Sequence, residues 1–132
     1  MARKTKEQAR ETRQQILDAA KTVFHRWGVN RSSLDLVAQA AGLTRGAVYW
    51  HFKNKAELFL AVREDVLFPV IDEIDSIISS GHEGDPLDGV EAALRAFFRI
   101  LEDSPDVRMV FDTIVNRCEH VAEFANVLSD VD

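Results

Sequence analysis

Leu43-Thr44-Arg45-Gly46-Ala47-Val48-Tyr49-Trp50-His51-Phe52-Lys53-Asn54-Lys55 is the stretch whose reading decides the fold. Thr44 suits a helix N-cap, because its hydroxyl can accept a free backbone N–H of the first turn. Ala47, Val48 and Phe52 then give a short helix over about 44–51 an apolar side. Just upstream, Leu34, Val37, Ala38 and Ala41 mark another short helix over about 33–41, with Ser32 and Asp35 as its capping pair. Gly42 ends that helix, since glycine takes positive φ without a steric penalty. Two short helices separated by Gly42-Leu43-Thr44 form the pattern of a helix-turn-helix. Small Ala38, Ala40 and Ala41 allow a close crossing, and Leu43 and Val48 are expected to fill the shared core.

The outward face of the second helix suits a nucleic-acid duplex. Arg45 lies in the first turn, nearest the base edges, and can donate two hydrogen bonds to guanine O6 and N7. Gly46 permits close backbone approach, and Ala47 can touch a thymine methyl. Thr44, Tyr49, His51 and Lys55 can donate to phosphates, which fix register without reading sequence. Lys55 also opens the next helix, where free N–H groups attract phosphate. Ser33 joins this set from the start of the preceding helix, and Trp50 is open to either phosphate contact or packing. Arg3 and Lys4, with Lys6, form either an arm near a flanking groove or an unspecific polycation. In both cases they add to salt-dependent attraction.

The overall charge of −6 hides a partition. Residues 1–55 hold 11 Lys/Arg against 4 Asp/Glu, a net of +7, and residues 56–132 hold 5 against 18, a net of −13. A basic head on an acidic body is the asymmetry expected of a polyanion-binding protein. A lone cysteine, Cys118, excludes an internal disulfide, and no Cys/His cluster suggests a metal. His25, His51, His82 and His120 are scattered, and no nucleophile–base set or phosphate loop is visible, so neither an enzyme nor a cofactor is expected. No apolar run is long enough for a membrane span, and the basic N-terminus lacks the apolar segment of a signal peptide. The reading is a cytoplasmic protein.

The remaining periodicity is helical throughout, which predicts an all-α fold. A first helix is expected over about 7–27, with Thr5 and Gln8 as a capping box, Ile16, Leu17, Ala20, Val23, Phe24 and Trp27 as its core face, and Gly28 as its stop. Asn54 and Glu57 cap a long helix over about 54–80, which Pro69 should bend. Asp85 and Pro86 open a helix over about 86–102. Ser104 and Pro105 open another over about 105–119, and a last one begins near 121. The expected division is a helix-turn-helix head over 1–53 and a helical effector-binding domain over 54–132.

Several segments closely resemble the TetR/AcrR family of bacterial repressors. They are Thr12–Ala20, the Phe24 to Gly28 spacing, Val37-Ala38, Ala41–Phe52 and Lys53–Leu58. The opening Ala2–Lys6 is similar to the branch that represses multidrug efflux pumps. The resemblance implies an all-helical dimer that places the 44–51 helix of each subunit in a major groove of a palindromic operator. It also implies a small hydrophobic effector, bound among the later helices, that releases the DNA. Phe68, Phe97, Phe111, Ile114 and Cys118 are the residues expected in that apolar pocket, with Asn116 and Glu119 as polar anchors. Family members are usually longer and carry two further helices that form the dimer. The effector domain here is therefore expected to be incomplete, with homodimerisation depending on those helices. The alternative is a shortened interaction partner that pairs with a full-length regulator and weakens its repression.

Overall fold

The computed structural model describes residues 2–81 and 84–116, with side chains from residue 5 onward. The described residues form six α-helices: α1 (Ala2–Trp27), α2 (Leu34–Ala41), α3 (Arg45–His51), α4 (Lys55–Ser79), α5 (Pro86–Asp103) and α6 (Pro105–Asn116). The all-α reading holds. The expected helix near 121 and the end of the 105–119 helix lie outside the described residues.

One apolar core runs from α1 through α6. Ile16, Leu17, Ala20 and Phe24 of α1 meet Val37 and Ala38 of α2, Val48 of α3, and Leu58, Phe59 and Val62 of α4. Val107 and Val110 of α6 extend the same cluster. Phe24 and Phe59 pack edge to face with centroids 5.7 Å apart, joining α1 to α4. Lys21 is the exception on this face: it is buried but charged.

Local chemistry sets the helix ends. Gly28 (φ 79°) and Gly42 (φ 70°) both adopt the left-handed conformation that stops a helix. The Gly42 N–H turns back to the carbonyls of Ala38 and Gln39. Thr44 caps α3 by accepting from Ala47 N–H at 3.2 Å, and Asn54 Oδ1 caps α4 by accepting from Glu57 N–H at 2.8 Å. Asp85 caps α5, with Pro86 at its start.

Three expectations need correction. The α1 helix begins at Ala2 rather than near residue 7, so Thr5 lies inside it rather than at its start. The α2 cap is Ser33, whose hydroxyl accepts from Leu36 N–H at 3.1 Å. Ser32 is instead buried and donates to the Gly28 carbonyl at 2.5 Å, closing the α1–α2 loop. Trp27 is not core: it is half exposed at the end of α1, with the Arg26 guanidinium 5.1 Å from its ring centroid. Helix α4 runs through Pro69 as one helix, although Pro69 has no N–H to offer the carbonyl four residues back.

Beyond the core, α5 carries a stripe of exposed Leu87, Val90, Leu94 and Phe98. Phe68 and Ile71 of α4 and Val115 of α6 are also exposed.

Candidate nucleic-acid interface

The turn geometry determines what α3 presents. The left-handed Gly42 and the Thr44 cap reverse the chain, and Val48 is driven fully into the core. Helical periodicity then leaves Thr44, Arg45, Gly46, Tyr49 and Trp50 exposed, with Ala47 and His51 half-buried. This is the outward set expected from the sequence, brought together on one face. Trp50 is 77% exposed and meets the His51 ring edge to face at 4.8 Å, so its packing is with a neighbour on α3.

Arg45 is held from two sides. Its Nε lies 3.2 Å from Asp35 Oδ1 on α2, and its guanidinium sits 5.2 Å from the Tyr49 ring centroid. Both partners are exposed, so the ion pair is weak in energy. Its value is orientational, because it limits where the planar guanidinium can point. Sequence reading placed Asp35 only as a capping partner. The signal was there, since a first-turn carboxylate on α2 faces the first turn of α3 across a three-residue turn.

Gly46 has open space where a side chain would be: a Cβ built on its backbone meets no atom within 4 Å. It therefore serves no internal packing need, while glycine in a helix is destabilising. Gly46→Ala is expected to stabilise the free protein by up to about 1 kcal/mol in urea unfolding and to weaken operator binding in the same preparation. Undiminished operator affinity would remove close approach at residue 46 from the interface.

Lys55 stands at the start of α4, as expected, and also has a structural bond pattern. Its Nζ donates to the carbonyls of Asn30 and Ser32, each at 3.1 Å, and so pins the α1–α2 loop to the start of α4. Burial, and then the neighbouring Arg13 charge, hold the His51 pKa below the ordinary histidine value. At pH 7 its ring is thus neutral and offers one N–H, a donor without charge. Arg13 itself lies 5.3 Å from the Phe52 ring centroid, and with His51, Asn54 and Glu57 it lines an open groove of about 360 Å³ beside α3. Ser33 is exposed beside this face, its oxygen engaged as the α2 cap. The side chains of Arg3 and Lys4 lie outside the described residues.

The expected effector residues are only partly assembled. Phe97 packs edge to face on Phe111 at 5.7 Å, and Phe97 and Ile114 lean on the core. Phe68 is 66% exposed and lines a separate groove with Arg13, Ala61, Glu64, Asp65 and Pro69. Asn116 Nδ2 donates to Asp112 Oδ1 at 2.6 Å on the surface of α6. Cys118 and Glu119 fall outside the described residues. Among the described residues no cluster of metal-ligating side chains occurs, and no helix is long and apolar enough to cross a membrane.

A family model described as bacterial regulatory proteins, tetR family, matches residues 16–62. These residues contain the core half of α1, all of α2 and α3, and the first third of α4. The HTH-type transcriptional regulator AcrR of Shigella flexneri is 41% identical over 127 residues, 96% of this chain and 59% of that protein. Among solved structures, NalD, the secondary repressor of the MexAB-OprM multidrug efflux pump in Pseudomonas aeruginosa, superposes with a TM-score of 0.76 at 36% identity. That match covers 95% of this chain and 61% of NalD. A complex of SmeT with triclosan matches with a TM-score of 0.71 at 32% identity, over 91% of this chain and 58% of SmeT. The chain thus spans about three fifths of the length of these relatives.

Proposed function

From a chain that belongs to the tetR family of bacterial regulatory proteins, we infer a transcriptional repressor that binds operator DNA through α3 and is released by a small hydrophobic effector. The observation that carries this reading is the exposed face of α3. Thr44, Arg45, Gly46, Tyr49 and Trp50 stand outward on a head whose first 55 residues have a net charge of +7. In this reading Arg45 reads a base, and Thr44, Tyr49 and His51 grip phosphates with Ser33 alongside. Arg3, Lys4 and Lys55 supply positive charge.

The regulated target is a multidrug efflux operon, a reading supported by the likeness to NalD, a repressor of such a pump. Triclosan bound by SmeT supports a small apolar effector. In this chain the effector meets the side of the body where Phe97, Phe111 and Ile114 gather. The working form is a homodimer in the cytoplasm, because two heads on one operator must sit about one helical turn, roughly 34 Å, or a multiple apart. The exposed apolar stripe of α5 is surface that further packed structure would cover.

The deciding experiment is fluorescence anisotropy with a duplex carrying an inverted repeat taken from the promoter region of the protein's own gene, titrated across salt concentrations. Binding should weaken steeply with salt, and the repeat should compete better than a scrambled duplex. Equal competition by the scrambled duplex would overturn the repressor reading.

A further inference from the structure

Lys21 carries a charge into the interior. Its side chain is only 8% exposed, which is rare for lysine without partners. The partners come from three helices. Nζ lies 3.1 Å from Asp18 Oδ1 on α1, 3.4 Å from Asp65 Oδ2 on α4 and 3.6 Å from Asp106 Oδ2 in the first turn of α6. Gln14 closes the cluster, its Nε2 donating to Asp18 Oδ1 at 2.9 Å and to Asp65 Oδ2 at 3.4 Å. One turn further along α1, His25 Nε2 lies 2.8 Å from Asp112 Oδ2 on α6. Burial pulls the Lys21 pKa down, but the bond to Asp18 and the charges of Asp18, Asp106 and Asp65 outweigh it, and the net direction is upward. The ammonium stays charged.

We infer that Lys21 is the positioning residue that fixes the recognition head on the body, by requiring α1, α4 and α6 to meet at one ammonium. Apolar burial is non-directional, so the shared core alone would tolerate α4 or α6 sliding along α1. A buried cation does not: displacing either helix takes away one of the three carboxylates around the ammonium, and a buried charge that loses part of its compensation is costly. Movement of α4 at Asp65 or of α6 at Asp106 must therefore either break a Lys21 pair or carry α1, and with it α2 and α3, along. The inference concerns head placement alone and stands apart from the DNA-binding reading.

The test is a spin-label distance measurement on the full chain, with Cys118→Ser and labels at Gln39→Cys on α2 and Asp103→Cys at the end of α5, both exposed positions. The parent should give one narrow distance population. Lys21→Met should lose it for a broad or shifted one, with helix content by far-UV circular dichroism retained. Asp106→Asn should move the same way to a smaller extent. Its side chain is 62% exposed, so it gives the answer even if Lys21→Met does not fold. Parent-like narrow populations in the folded variants would overturn the inference. So would broadening that comes only with loss of helix, because Lys21 would then merely stabilise the fold.

Discussion

Phe24→Ala is expected to remove about 3–5 kcal/mol of stability in urea unfolding followed by circular dichroism. Phe24 is 1% exposed and meets Phe59 edge to face, so truncation opens a cavity where α1 and α4 are joined. Neighbouring Ile16, Leu17 and Leu58 are fully buried and cannot collapse freely into the space. Typical domains are stable by only about 5–15 kcal/mol, so the variant should be partly unfolded at modest temperature. The exposed Trp50 supplies the contrast, since Trp50→Ala should stay within about 0.5 kcal/mol of the parent. A loss below about 1 kcal/mol for Phe24→Ala would mean that the α1–α4 junction is not the packed centre described above.

Arg45→Ala is expected to relax operator discrimination at one base pair in each half-site by about 1–3 kcal/mol. The argument rests on orientation. Asp35 engages Nε at 3.2 Å and the guanidinium lies over the Tyr49 ring; in the proposed reading it is the outer nitrogens that meet a guanine edge. A phosphate-only arginine would behave otherwise: its loss would weaken every sequence equally and reduce the salt slope by about one. Anisotropy titrations against single-base operator variants separate the two outcomes. Retained discrimination at every position would sink base readout by Arg45.

Much of this was legible in the sequence, for local reasons. The α3 face could be read because its exposure follows from the helical period, the Thr44 cap and one buried residue, Val48. The ends of α2 and α3 were legible through Gly42 and Thr44. The failures are tertiary or concern near-degenerate local choices. Ser32 and Ser33 are equally good cap residues, and only the burial of Ser32 against the Gly28 carbonyl decides between them. Trp27 shares the apolar period of α1 but lies one turn beyond the helices that cover Phe24. The bonds from Lys55 to the Asn30 and Ser32 carbonyls could not be read, because they cross from α4 to the α1–α2 loop. Lys21 reads as an ordinary surface lysine, because nothing in α1 announces that Asp65 and Asp106 lie within reach. The effector residues were least legible, since an apolar side chain looks alike in a core, a pocket or an exposed stripe.

Pro69 has a mechanical consequence. A proline at position 69 leaves the carbonyl of residue 65 without its helical donor and crowds it. Residue 65 is the one whose carboxylate reaches Lys21 at 3.4 Å. Thus α4 is anchored and weakened at the same turn. Up to Asp65 it is stiffened by Ala56, Leu58, Phe59 and Val62 in the core. Beyond Asp65, where Val66 and Val70 still pack in the core, its intrahelical ladder is short of one rung, which lowers bending stiffness at that turn. A force applied near Ser79 would be taken up first as flexure at this joint, and only a displacement large enough to exhaust that compliance would load the anchored end and reach α3.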